Sequence, residues 1–206
     1  MLSFFKQAIK NTYHTGSVWP SSRALARVMT RSLRDATGKR QILEVGPGTG
    51  PFTRYILESL EPGDEFHIVE INQDFCDELE RTLLGPFREA NPECTVTLHR
   101  CPVEEAGIST QFDFIVCGLP FNNFPLATTR SIFRQLIRLL KPGAELVYFE
   151  YAGVRVMRSM VVGPKARSKI KLIGAHGTSM RRRFDGSREL VIANFPPAYA
   201  VRLRGV

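Results

Sequence analysis

Residues 41–50 read Gln41-Ile42-Leu43-Glu44-Val45-Gly46-Pro47-Gly48-Thr49-Gly50, and residues 52–60 continue as FTRYILESL. A short apolar run enters a glycine-rich turn, and beyond it the apolar residues return at helical spacing, so the segment predicts strand, turn, helix. Glycine tolerates positive φ and carries no Cβ, so this turn can curl tightly and let a ligand lie against its peptide groups. Working outward, residues 65–70 (EFHIVE), 94–100 (CTVTLHR), 112–118 (FDFIVCG) and 144–151 (AELVYFEY) read as further strands, and residues 71–84 and 126–140 read as helices. ELVIANF (189–195) and YAVRLR (199–204), joined by Pro196-Pro197-Ala198, read as a hairpin, because prolines cannot continue a central strand. Five strands alternating with helices, then two in a hairpin, predict an α/β fold. Its seven-stranded sheet is mostly parallel, with a C-terminal antiparallel hairpin and helices on both faces.

Upstream, Leu2, Phe5 and Ile9 fall at helical spacing beside Lys6 and Lys10, a short amphipathic turn. The loop TYHTGSVWP follows. Ser21 or Ser22 can cap a helix carrying Ala24, Leu25, Val28, Met29 and Leu33, and Gly38 can close it. Residues 1–38 therefore read as an N-terminal amphipathic helix, loop and cap helix ahead of the sheet domain at 39–206, within one globular unit.

With 206 residues, 43% hydrophobic and 23% charged, the chain is excluded from the collagen-like, disordered and disulfide-stapled classes. Its apolar runs fall well short of the roughly 18 residues that suggest a membrane span. Lys6 and Lys10 interrupt any secretory h-region, so a cytoplasmic location is expected. Cys76, Cys94, Cys101 and Cys117 form no CxxC pair, and His14, His67, His99 and His176 are scattered, so no metal is assigned.

Charge is segregated. Residues 1–40 hold eight basic and one acidic residue, a net +7; residues 41–150 hold eight and seventeen, a net −9; residues 151–206 hold twelve and two, a net +10. A surface charged only for solubility does not readily explain contiguous blocks of opposite sign. Nucleic acid phosphates or an anionic lipid surface would account for them.

In open parallel sheets, ligands bind beyond the carboxyl ends of the strands. Glu70 stands at such an end, 20 residues after Gly50, where a carboxylate can accept both hydroxyls of a ribose. A dinucleotide site must be weighed first, because GxGxxG with a later acidic residue is its fingerprint. Here the spacing is GxGxG and Glu44 precedes it. A carboxylate at the mouth of the turn would repel a pyrophosphate and suit a cationic ligand; S-adenosylmethionine, with its sulfonium and ammonium, is one. A glycine turn without ligand is the remaining alternative.

ILEVGPGTGPFT with HIVEIN downstream resembles the first two motifs of class I S-adenosylmethionine-dependent methyltransferases, and implies their Rossmann-like fold and cofactor. The resemblance implies that Glu44, Gly46, Gly48 and Gly50 underlie the amino acid part of the cofactor, that Glu70 holds the ribose, and that Phe52, Ile71 and Asn72 also bind the cofactor. Cys101, Pro102 and Val103 take the place beside the adenine, where Pro102 has no N–H to offer. His14, Thr15 and Gly16 fall in the family's lid loop, and Trp19 is either an interfacial anchor or a core residue. The segment GLPFNNFP (118–125) falls where the acceptor meets the methyl group, with Gly118 also beside the cofactor. Enzymes that methylate adenine begin this motif with Asn or Asp, to hold the exocyclic amine. Gly118 has no side chain for that.

The opening KQAIKNTYHTGSVWPSSRALAR, the run GLPFNNFP and the later NFPPA resemble the bacterial phospholipid N-methyltransferases, which methylate the amine of phosphatidylethanolamine or related lipids. This implies a phospholipid substrate and an anionic membrane partner, and sets nucleic acid aside. It also implies a peripheral site on the inner face of the cytoplasmic membrane, for what is expected to be a monomer. Leu2, Phe4, Phe5 and Ile9 could dip into the interface, although an ordinary core helix is the alternative. Arg155, Arg158, Lys165, Arg167, Lys169, Lys171 and Arg181 to Arg183 would face lipid phosphates. Candidate acceptor-side groups are the carbonyls of Gly118 and Leu119, the amides Asn122 and Asn123, and Tyr151; alternation puts Glu150 on the opposite strand face. Turn capping by the asparagines and core packing by Tyr151 are the plain alternatives. An RNA or DNA methyltransferase of the rRNA adenine type is the competing function, and a non-catalytic cofactor or membrane sensor is a third.

Overall fold

The computed structural model describes residues 21–121, 124–152 and 164–204. Its sheet has the order β3-β2-β1-β4-β5-β7-β6, formed by β1 (Gln41–Val45), β2 (Glu65–Val69), β3 (Thr95–His99), β4 (Phe112–Cys117), β5 (Leu140–Tyr151), β6 (Ser187–Val191) and β7 (Ala198–Leu203). The first five strands run parallel, and β7 lies antiparallel between β5 and β6. The mostly parallel sheet with its antiparallel hairpin is therefore present as read. β1 is central and covered on both sides, which is why it reads as an apolar run without alternation.

On one face, α1 (Arg23–Met29), α3 (Thr53–Leu57) and α4 (Gln73–Leu79) pack Leu25, Met29, Ile56 and Leu79 against Ile42, Phe66, Ile68, Val116, Val147 and Phe149. On the other, α6 (Leu126–Leu139) packs Ile132, Phe133 and Leu136 against Leu43, Val45, Ile115, Leu146 and Tyr148. Met180 of α7 (Pro164–Arg183) and Phe184 just beyond it join them.

Local chemistry moved several boundaries. Ser22 caps α1, its Oγ accepting the Leu25 N–H at 3.1 Å. The expected single cap helix breaks at Thr30, whose hydroxyl donates to the Ala26 carbonyl at 2.9 Å, and resumes as the short α2 (Arg31–Arg34). Gly38 follows at φ +89°, past the helix end. The helix read at 71–84 is α4, then a π turn (Glu80–Leu84), then α5 (Gly85–Ala90). Pro86 enters where the π turn has already opened the ladder, so the Gly-Pro pair that reads as a stop is passed. The strand expected through Phe195 ends at Val191. The buried Asn194 side chain accepts the Ser22 N–H at 2.8 Å and donates to the Pro196 carbonyl at 2.7 Å, which fixes residues 192–197 as a turn.

At the amino ends of β1 and β2, Arg40 and Asp64 form a buried ion pair. The guanidinium also donates to the carbonyls of Leu33, Ala36 and Ser59, and the carboxylate accepts the N–H groups of Arg40 and Glu61. One pair thus joins the cap region, α3 and two strands at the sheet edge remote from the glycine turn. No helix among the described residues is long and apolar enough to cross a membrane.

Candidate cofactor and acceptor site

The carboxyl ends of β1 and β2 and the turns after β3 and β4 line an open cleft. Its lining includes Gly46, Glu70, Ile71, Cys101, Pro102, Val103 and Leu119. Six of these seven are among the residues expected to bind the cofactor. Apart from the Glu70 carboxylate the lining side chains carry little polarity, which suits a planar base and a sugar.

Glu70 is nearly buried. Its Oε1 accepts the N–H groups of Ile71 at 2.8 Å and Asn72 at 2.9 Å, and its Oε2 accepts that of Gly48 at 3.1 Å. Burial raises its pKa, and these three donors pull it back. An ionised carboxylate offers about four acceptor positions, so one remains on Oε2. Glu70 already staples the glycine turn to the end of β2, so a ligand that brought two hydroxyls to it would have to share or displace a backbone donor.

The glycine turn and the turn after β4 meet backbone to backbone. Gly46 sits at φ +72°, and a Cβ there would stand 2.4 Å from Leu119 Cδ2. The Gly118 N–H donates to the Val45 carbonyl at 2.8 Å, and a Cβ on Gly118 would stand 2.4 Å from the Gly46 carbonyl oxygen. An Asn or Asp at 118 therefore cannot enter without moving the glycine turn. The absent side chain is a packing requirement of this chain as well as a chemical difference. Its neighbour Leu119 lines the cleft, and the Leu119 carbonyl already accepts the Phe121 N–H at 3.0 Å.

Glu44 is not at the mouth of the turn, as the sequence suggests, but fully buried beneath it. Thr53 Oγ1 donates to its Oε2 at 2.8 Å, while Oε1 has no hydrogen-bond partner among the described residues. Burial pushes its pKa up to about 8, the Thr53 hydroxyl opposes this, and the Glu70 charge adds to it. Glu44 therefore largely keeps its proton near neutral pH. Its folded pKa lies above the unfolded value of 4.5, so the stability present below that value is lost as pH rises through about 8. Glu44→Gln should flatten this slope. Urea unfolding at pH 5 and pH 8 should show the parent protein losing on the order of 3–5 kcal/mol more than the variant. Parallel losses would mean that Glu44 ionises normally.

The other expected site residues divide. Gly50 closes the turn, its N–H donating to the Pro47 carbonyl at 3.0 Å. Phe52 is a core residue, edge-on to Phe149 at 6.1 Å. Asn72 caps α4, its Oδ1 accepting the N–H groups of Asp74 and Phe75. Tyr151 lies on the α1 and α3 face with its ring 5.2 Å from Phe149, and burial pushes its phenol up. Glu150 points to the opposite face, over Gly177 of α7, where an added Cβ would come within 2.9 Å of Oε1. Tyr148 shares that face and packs on Phe121 and Phe133. Thr53, the hydrogen-bond partner of Glu44, was not among the expected site residues; the acidic residue of the glycine motif was the signal that could have led to it. Thr15, Gly16, His14, Trp19, Asn122, Asn123 and residues 1–10 lie outside the described residues.

A seven-stranded sheet in this order, with an acidic strand end beside a glycine turn, is a doubly wound α/β architecture, a class that takes nucleoside ligands at the carboxyl ends of its strands. The methyltransferase-domain family matches residues 43–146. An ornithine lipid N-methyltransferase of Singulisphaera acidiphila is 30% identical over 139 residues, covering 68% of this chain and 71% of that protein. The O-methyltransferase of Bacillus cereus, solved with S-adenosylhomocysteine, superposes with a TM-score of 0.62 at 13% identity, covering 98% of this chain and 91% of that one. The N-methyltransferase NodS of Bradyrhizobium japonicum, also solved with S-adenosylhomocysteine, gives 0.58 at 16% identity, covering 89% and 86%. The chain belongs to the class I S-adenosylmethionine-dependent methyltransferases.

The residues present fit that cofactor. The cleft has apolar walls and one carboxylate with acceptor capacity to spare, and the unpartnered Glu44 Oε1 lies directly below the glycine turn. When bound, the cofactor supplies an electrophilic methyl group on a sulfonium. Of the chain's own groups, Glu70 is the one that would meet the nucleoside, and the apolar walls that include Leu119 would keep water from it.

Proposed function

We propose that this enzyme methylates the amine head group of a membrane phospholipid, phosphatidylethanolamine and its mono- and dimethyl products, at the cytoplasmic face of the membrane. The observation that carries this reading is the contact of Gly118 with the Gly46 carbonyl. It leaves the acceptor side without the Asn or Asp that would grip the exocyclic amine of a nucleobase, whereas a lipid amine is a free-swinging nitrogen that needs no such planar clamp. The similarity to an ornithine lipid N-methyltransferase supports an amine-bearing lipid, and the basic blocks at 1–40 and 151–206 support an anionic surface.

A protonated amine has no lone pair, so a proton must leave before the first transfer. Tyr151, the carbonyls of Gly118 and Leu119, and the amides of Asn122 and Asn123 are the proposed acceptor-side groups. In this reading Thr15 and Gly16 close over the cofactor, residues 1–10 rest in the interface, and the enzyme works as a monomer without metal. Incubation with methyl-labelled S-adenosylmethionine and either mixed phosphatidylethanolamine liposomes or total RNA tests the reading. Label is expected in the lipid fraction; label confined to RNA would overturn it in favour of an rRNA adenine-type activity.

A further inference from the structure

We propose that the tip of the β6–β7 hairpin, residues 192–197, is a lipid-inserting wedge that sets the cofactor cleft against an anionic bilayer. The inference deepens the lipid reading above and rests on it. Its first support is where large apolar side chains reach the surface. Among the described residues, the large hydrophobic side chains left exposed are Leu190 at 45%, Ile192 at 75% and Phe195 at 69%, and all three belong to this hairpin. Single exposed apolar residues are ordinary on a protein surface, but their confinement to one hairpin, with the two most exposed at its tip, is not.

The second support is position. β7 pairs antiparallel with β5, with Ala198 opposite Tyr151, and Val191 of β6 is also opposite Ala198. The turn 192–197 therefore projects from the sheet edge formed by the carboxyl ends of β1 to β5, the edge that opens into the cleft. A bilayer touching the hairpin would face the side from which the acceptor enters.

Rigidity and charge supply the third. The buried Asn194 ties the tip both to itself, through the Pro196 carbonyl, and to the start of α1, through the Ser22 N–H. The Ala152 N–H donates to the Pro197 carbonyl, fixing the other side to the end of β5. A braced turn loses little conformational freedom on insertion. Residues 192–197 carry no charge, and the exposed Arg23 opens α1 one residue after Ser22. A neutral apolar turn beside an exposed cation is an arrangement an anionic interface accepts, and the Glu189 carboxylate that precedes the turn is paired with Arg31 and Arg202.

The double variant Ile192→Ser/Phe195→Ser tests the wedge, since both side chains are exposed and the core is untouched. Sedimentation with phosphatidylcholine–phosphatidylglycerol vesicles should weaken by about tenfold, while calorimetric affinity for S-adenosylhomocysteine stays at the parental value. As a direct probe, Ile192→Trp should shift its emission to the blue on adding these vesicles and be quenched by brominated acyl chains. Unchanged sedimentation together with unquenched emission would overturn the wedge. So would a hairpin-dependent dimer in light scattering that persists with vesicles and leaves the tip buried in protein. If the parent labels lipid but the serine variant sediments normally, only the wedge falls. If the parent labels RNA alone, the lipid reading falls with it.

Discussion

Glu70→Ala is expected to lower the affinity for S-adenosylhomocysteine by about 100-fold or more in calorimetry, with the protein still folded. Two losses combine. The proposed ribose acceptor disappears, and the N–H groups of Gly48, Ile71 and Asn72 lose the carboxylate that gathers them. The glycine turn is then released from the end of β2, so the cleft loses its shape as well as its charge. Glu70→Gln keeps one acceptor oxygen and should fall between the two. Parental affinity in a folded Glu70→Ala protein would place the ribose elsewhere.

A different change should act on stability and leave the cleft alone. Asp64→Ala strands the Arg40 guanidinium, which is 3% exposed, without its counter-charge. Removing one partner of a buried pair typically costs about 3–5 kcal/mol. The N–H groups of Arg40 and Glu61 lose their acceptor in the same step. For a chain of this size the melting temperature should fall by roughly 10 °C. The pair lies at the amino ends of β1 and β2, so cofactor affinity measured below the transition should barely change. A small shift in melting temperature would mean that water reaches Arg40 after the substitution.

The contrast between Glu70 and Asp64 also marks what the sequence reveals. Glu70 was legible because a fixed spacing from a glycine turn ties it to a strand end, and strand ends in a parallel sheet share one edge. The sheet was legible for the same reason: apolar runs bounded by glycine and proline need no knowledge of partners. Asp64 in EPGDEF looks like an ordinary acidic turn residue, and Arg40 like one more cation in GKRQ; their pairing across 24 positions is set by tertiary packing.

Glu44 was pictured at the mouth of the turn and lies buried beneath it, because a motif does not tell whether a carboxylate looks into the cleft or into the core. Gly118 showed the converse. Its missing side chain was visible, but the Gly46 carbonyl that forbids one was not. α7 escaped notice because Gly174 and Gly177 dilute its helical signal, while its basic residues read equally well as a surface coil. Conversely, Ser22 announced the start of α1 through a local hydrogen bond, the kind of interaction that sequence neighbours can specify alone.

The seam between α1 and the hairpin carries one more consequence. Ser22 and Asn194 are 172 positions apart, the Arg202 guanidinium reaches the Val28 carbonyl across 174, and Arg31 pairs with Glu189. During synthesis the greasy side of α1, with Leu25, Ala26 and Met29, has its cover completed only when β6 and β7 leave the ribosome. At ordinary elongation speeds that delay is roughly 10–30 s. The nascent polypeptide spends this interval with a partly covered amphipathic helix, ready prey for holdase chaperones, until the returning strands zip it shut.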